Sequence, residues 1–284
     1  MRTGPWRAAL PLACAALVAG CGSSSSGVKA PTIGAARTFK LAGFQPTSEV
    51  KPSAPSKVAF TIEEPSGKPL TRYKTGSGPH TGVHLIIVRD DLSTIIHKHP
   101  PVATNGRIAQ ALSFAQPGPY KVLVDAYPNL STNQPNFQLF GKVRVAGRYK
   151  AQPLPPFSRT VDVGGYRFTM QSTPHLKALQ ASFLTITVTD PQGRKADFTP
   201  WYGALAHAIF FRSGTLDYFH THVCGAGATN CTSVLGGARV TGRSSTPGKL
   251  KVGVLLPVKG TWRLFLQCKV QGRILTAPYT LKVS

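Results

Sequence analysis

The sequence predicts an all-β protein made of two tandem β-sandwich domains, and three observations carry that expectation. Its 24 prolines and 28 glycines cut the chain into short segments. The apolar runs between them are brief and often alternate, and no long stretch keeps a helical period. The second half also repeats the first with its elements in the same order. Strands of this length, with turns at this spacing, point to an immunoglobulin-like or cupredoxin-like sandwich in each half.

The first element is an export signal over residues 1–20. Arg2 and Arg7 open it, and an apolar run from Ala8 to Ala19 follows. A run of about twelve residues is too short to cross a bilayer, which needs roughly 20. It closes on Leu17-Val18-Ala19-Gly20-Cys21, which resembles the bacterial lipobox. That resemblance implies cleavage after Gly20, lipid on Cys21, and a lipoprotein held at the outer, extracytoplasmic face of the bacterial cell membrane. Two acyl chains give stable anchoring where one gives marginal binding. Residues 21–36, with Ser23-Ser24-Ser25-Ser26-Gly27, read as a flexible tether.

Loss of residues 1–20 removes two arginines and no acid, so the formal net charge falls from +23 to +21. Such a balance favours an anionic cell-surface polymer as a partner. The Lys and Arg residues are scattered and no recognition motif accompanies them, which argues against nucleic acid.

The repeat organises what remains: domain 1 over residues 37–148, a linker over 149–158, and domain 2 over 159–284. In domain 1 the strand from Val58 to Glu64 runs into Pro65-Ser66-Gly67-Lys68. In domain 2 the strand from Leu184 to Asp190 runs into Pro191-Gln192-Gly193-Arg194. Both are acid-Pro-x-Gly-base turns, in which glycine supplies the positive φ. His84 to Arg89 then matches His207 to Arg212, and Ile96-His97-Lys98-His99 matches Phe219-His220-Thr221-His222. Gly118-Pro119-Tyr120-Lys121 matches Gly260-Thr261-Trp262-Arg263 near the end of each copy. Pro153, Pro155 and Pro156 make the linker stiff and extended.

Domain 2 carries a longer insertion, Cys224 to Gly248, rich in Gly, Ser and Thr. With Cys21 lipidated, Cys224 and Cys231 flank a flexible six-residue loop and are expected to form a disulfide, leaving Cys268 unpaired. Pairings with Cys268 stay open at this point.

Six of the eight histidines fall into two identical patterns, His84, His97, His99 and His207, His220, His222. If Asp90-Asp91 and Ser213-Gly214 are two-residue hairpin turns, His84 lies opposite His97 and His207 opposite His220. Opposed residues share a face, with Cβ atoms about 5 Å apart, and His99 and His222 share it two residues further on. Each trio then converges beside an apolar surface, Ile86 and Val88 in one copy, Ile209 and Phe211 in the other, that reads as facing the core. Three convergent imidazoles suit copper or zinc and leave one position open, so one ion is expected in each half. Cys268 and Asp125 are possible extra ligands, and a thiol there would favour Cu(I). His80, Tyr202 and Cys224 are weaker candidates.

The hairpin ending in His-x-His-Pro and the Gly-x-Tyr/Trp-Lys/Arg strand resemble domains of uncharacterised exported bacterial proteins suspected of metal handling. Val223-Cys224 departs from that pattern, standing where the first copy has Pro100-Pro101. The function this points to is a lipoprotein, not an enzyme, that binds copper before zinc and sequesters the ion or passes it to a metal-transfer partner. One alternative is a zinc hydrolase or hydratase: a His-x-His with a cross-strand His looks like the ligand set of carbonic anhydrase, and a lone His-x-His recurs in copper-zinc superoxide dismutase. Neither family's other motifs are present, and Glu49, Glu63 and Glu64, the only glutamates, stand far from the trios. The other alternative is a structural or adhesive surface module without metal. Gly-x-Ser-x-Gly and phosphate-loop motifs are absent.

Overall fold

Side-chain alternation along paired strands divides the apolar residues among three large clusters, one inside each half and a third between them. A computed structural model describes residues 38–132, 134–228, 231, 234–235, 238–245 and 247–284, and from residue 38 onward they belong to one compact unit. The export signal, Cys21 and the tether lie outside the described residues. All regular elements among the described residues are strands, so no helix there is long and apolar enough to cross a membrane.

The first half contains β1 (Lys40–Gln45), β2 (Ser56–Glu63), β3 (Val83–Arg89), β4 (Ile95–Lys98), β5 (Arg107–Leu112), β6 (Gly118–Ala126) and β7 (Phe137–Val145). They form two sheets, β1-β2-β5 and β4-β3-β6-β7. Val58, Phe60 and Ile62 of β2 meet Leu85 and Ile87 of β3 and Val122 and Val124 of β6 between those sheets. This is an immunoglobulin-like sandwich, closed by alternate residues of each strand.

The second half continues with β8 (Thr160–Val163), β9 (Tyr166–Met170), β10 (Ser182–Thr189), β11 (Phe198–Thr199), β12 (Ala206–Arg212), β13 (Tyr218–Gly225), β14 (Val234–Leu235), β15 (Ala238–Arg239), β16 (Gly242–Ser244), β17 (Lys249–Val254), β18 (Gly260–Val270) and β19 (Arg273–Val283). Its β13-β12-β18-β19 order reproduces β4-β3-β6-β7, and β9-β10-β17 reproduces β1-β2-β5. Here β16, parallel to β13 and antiparallel to β17, joins the two layers into one wrapped sheet. Trp262, Phe210 and Ile186 fill its interior, and the Tyr279 hydroxyl donates to the Phe168 carbonyl at 3.0 Å.

Every residue of β3 is buried. Its odd-numbered side chains enter the first half's own core, and its even-numbered ones face the second half. Ile86, Val88, Leu92 and Leu123 pack there against Ile209, Phe211, Leu216 and Phe265. The surface expected to face each sandwich's interior is therefore the boundary between the halves. Leu154 of the linker is packed against the same cluster, and the Gln152 backbone N–H donates to Asp91 at 2.9 Å.

The hairpin register also differs from expectation. Val88 pairs with Ile95 and Phe211 with Tyr218, and the Arg89 and Arg212 backbone N–H groups donate to the Thr94 and Asp217 carbonyls, so the loops are four residues long, Asp90-Asp91-Leu92-Ser93 and Ser213-Gly214-Thr215-Leu216. Leu92 and Leu216 take φ of 61° and 57°. Such left-handed backbone costs a leucine about 1–2 kcal/mol. Burying its side chain returns about 1.5–3 kcal/mol, and both leucines are buried in the cluster between the halves.

Candidate metal centre

The longer loops move Ile86 opposite His97 and Ile209 opposite His220, two residues from the expected pairs. Two is an even shift, so no histidine changes face. Because that face is shared by both halves, the six histidines form one cluster. His84, His97, His207 and His222 are buried, while His99 and His220 keep partial exposure. The His84 and His99 rings stack with centroids 3.9 Å apart, and His97 lies 5.0 Å from His207 and 5.5 Å from His220 of the other half.

Three triads bring their ring nitrogens within 4.8 Å of one another: His84, His97, His99; His84, His220, His222; and His97, His207, His220. Two of the three draw on both halves.

Hydrogen bonds fix two of the tautomers. His97 Nδ1 donates to the Gln267 side-chain oxygen at 3.1 Å, since a carbonyl oxygen only accepts. The Gln267 amide is itself held by donating to Thr276 Oγ1 at 3.0 Å. His207 Nε2 donates to the Trp201 carbonyl at 2.8 Å. Each histidine is left with a lone pair on its other nitrogen. His97 Nε2 then stands 3.2 Å from His99 Nε2, and His207 Nδ1 stands 3.3 Å from His220 Nε2. Tetrahedral ligands at metal–nitrogen bonds of about 2.0–2.1 Å are separated by roughly 3.3 Å.

Other nitrogens lack such partners. Both ring nitrogens of His84 and His222, and Nδ1 of His220, make no hydrogen bond of good geometry among the described residues, although the Pro79 backbone lies close enough to His84 to favour its charged form. Burial first, and neighbouring histidines second, hold His84, His97, His220 and His222 well below the usual imidazole value. The same causes bring His99 to about 2, and burial brings His207 to about 4. Neutral imidazole is the form that binds metal.

Aromatic rings wall the cluster. Tyr202 stacks on His99 with centroids 3.8 Å apart and planes 6° apart, and Trp201 meets His97 edge-on at 5.3 Å. Tyr127 covers His84 at 4.9 Å.

The further candidate ligands stand elsewhere. Asp125 pairs with His84 in register, but its carboxylate accepts from Asn136 at 3.1 Å, Gln138 at 3.2 Å and Tyr127 at 3.3 Å. Burial raises its pKa to about 6, and it joins none of the three triads. Cys268 points to the opposite face of β18, into the second half's own core, where burial pushes the thiol up to about 12. Cys224 and Cys231 are joined in a disulfide. His80 reaches the cluster's edge, its ring 4.8 Å from His222.

Gln267 and Trp201 escaped the sequence reading. Gln267 occupies the place opposite His207 that Asp125 holds opposite His84, so aligning the two halves one residue before Cys268 exposes it. Trp201 acts through its backbone, which leaves no mark in the side-chain pattern.

The family model described as a domain of unknown function (DUF8832) matches residues 40–143 and 159–284. The chain belongs to this family. The first matched segment contains His84, His97 and His99, and the second contains His207, His220 and His222, so the family's two segments meet at the histidine cluster. No curated protein matches the chain. Solved structures similar to it include a Salmonella alpha-2-macroglobulin, at 12% identity over 87% of this chain and 16% of that one, with a TM-score of 0.29. Invasin, a bacterial integrin-binding protein, is similar at 14% identity over 87% of this chain and 39% of its own, with a TM-score of 0.23. The fibronectin(III)-like modules of Clostridium thermocellum CbhA give 10% identity, 87% and 93% coverage, and a TM-score of 0.22. The chain thus spans a small fraction of the macroglobulin.

Proposed function

We propose that this chain is a lipid-anchored extracytoplasmic protein that holds one transition-metal ion, copper before zinc, where its two halves meet. One observation carries the reading: among six converging histidines the ring nitrogens of His97, His207 and His220 lie within 4.8 Å of one another, with His97 and His207 held by hydrogen bonds to Gln267 and Trp201. A single ion accepts one lone pair from each of these three neutral imidazoles.

His97, His207 and His220 are the resting ligands. Gln267 and the Trp201 carbonyl already aim two of their lone pairs inward, the outer-shell arrangement that orients metal-binding histidines. Any two of the three triads share a histidine, so the cluster has room for one ion per chain rather than one in each half. The donors are all imidazole, with the Cys268 thiol on the far face, which favours Cu(II) over soft Cu(I) and places copper above zinc in affinity.

Lipid on Cys21 holds this centre at the outer face of the membrane, beside an anionic surface polymer and within reach of a transfer partner. The bound ion is sequestered there or handed on by ligand exchange.

Calorimetric titration of residues 37–284 with Cu(II) and with Zn(II) tests the centre. One ion per chain, bound with Kd below about 1 μM and lost in the His97→Ala/His220→Ala double variant, which breaks all three triads, is the expected result. Absence of such binding for both ions rules the reading out. Incorporation of radiolabelled palmitate by the full chain, abolished by Cys21→Ala, tests the anchor separately.

A further inference from the structure

A surface cavity of about 340 Å³ opens beside the histidine cluster, walled by Lys74, Thr75, Gly78, Thr81, Asn129 and His80. His80 belongs to both regions. The residue lines the cavity, and its ring stands edge-on to His222 at 4.8 Å, with Nε2 buried and Nδ1 3.4 Å from the Tyr127 hydroxyl. His222 belongs to the triad with His84 and His220, and His220 belongs in turn to the triad with His97 and His207.

We infer that this cavity is the metal port and that His80 passes the ion through the His84-His220-His222 triad to the His97-His207-His220 triad. The inference rests on the metal centre proposed above and adds its route and order of binding. At the second step His84 and His222 release the ion as His97 and His207 take it up, while His220 stays bound. The ion keeps its oxidation state, and the lone pairs of His97 and His207 point into the cluster because their other nitrogens donate to Gln267 and to the Trp201 carbonyl.

The second half holds the port in shape. Gly203, at φ of +76°, packs so closely on the loop before His80 that an added Cβ would lie 2.4 Å from the Ser77 oxygen and 2.7 Å from the Pro79 nitrogen. The same loop puts Tyr202 flat over His99. One turn of chain therefore covers His99 and buttresses the segment that presents His80.

Stopped-flow uptake of Cu(II) and Zn(II) by residues 37–284 tests the route after equilibrium titration of the same samples. His80→Ala is expected to slow both uptake and chelator-driven release about tenfold, with stoichiometry unchanged and affinity within about twofold because both directions slow together. His80→Asn, which keeps a polar side chain, is expected to slow them equally, and a melting curve shows that each variant is folded. Unchanged rates, or faster uptake, overturn the relay, the latter by making His80 a plug. A loss of affinity as large as the loss of uptake rate also overturns it, by making His80 a resting ligand. If the unsubstituted chain takes up neither ion, the failure lies in the metal centre and the titration records it before any rate is read.

Discussion

The imidazole of His97, from the first half, donates its Nδ1 proton to the Gln267 side chain of the second half at 3.1 Å. Asp125 holds the place of Gln267 in the first half, and its carboxylate accepts from Asn136, Gln138 and Tyr127 instead. The halves share this register position but carry different residues at it. That difference leaves Nδ1 of His220, the counterpart of His97, without an orienting partner of good geometry among the described residues and gives one to His97; the His97-His207-His220 triad, with two oriented members, is the better organised.

In the proposed centre Gln267 is accordingly a positioning residue for the ion. Gln267→Leu is expected to weaken Cu(II) about 10–100-fold while stoichiometry stays at one. Gln267→Glu, which restores an acceptor for the His97 N–H, is expected to recover most of the affinity. Competition against a chelator of known affinity measures both, and a Leu variant that binds as tightly as the parent removes Gln267 from the centre.

Stability of the metal-free protein is expected to fall as pH drops through about 6.5. All six histidines have folded-state pKa values below the unfolded one. The unfolded chain therefore binds protons first, and each proton bound pulls the equilibrium toward it. Each histidine that stays neutral when folded removes about 1 kcal/mol between pH 7.5 and 5.5, so the cluster removes several. Asp125 works the other way: its folded value of about 6 is raised, so protonation below that pH stabilises the fold, but it is one group against six. Urea midpoints at the two pH values, and again in a variant with His84 and His222 changed to Leu, check the sign and its source.

The boundary between the halves is expected to be an energetic unit of its own. Phe211 is fully buried there among Val88, Leu92, Ile209 and Phe265. Phe211→Ala is expected to cost about 3–5 kcal/mol and to split a single urea transition into two as the halves lose their coupling. Added Cu(II) should merge the transitions again, since its ligands come from both halves. A variant that unfolds in one step with or without the ion would show that the cluster does not couple them.

Much of this arrangement is legible in the residues. Strand alternation identifies the face shared by His84, His97 and His99, and the matched spacing of His207, His220 and His222 identifies its counterpart. The even shift in register leaves that face intact even though the loops are longer than dipeptide signals suggest. Left-handed Leu92 and Leu216 are invisible to turn propensities because distant burial, not local preference, sustains them. What covers the histidine face is harder to read, since one strand's alternation looks the same whether its outer neighbour is the same sandwich or another. The uninterrupted apolar run of β3 is the available clue, marking a strand buried on both sides.

Cys268 distinguishes an all-imidazole centre from a thiolate one. Its place in the sequence, one residue beyond Gln267, puts it next to the cluster along the chain and on the opposite side of the sheet, where it packs with Leu266 and Val270 in the second half's core. Cys268→Ser is therefore expected to leave Cu(II) affinity within about twofold, because no ligand atom moves. Stability should fall by about 1–3 kcal/mol from a hydroxyl buried without an assured partner. Binding and melting measured on one preparation separate the effects. A thiolate-to-copper charge-transfer band in the unsubstituted chain, lost with the cysteine, would instead require Cys268 to have turned through the sheet to the metal, and the proposed ligand set would be wrong.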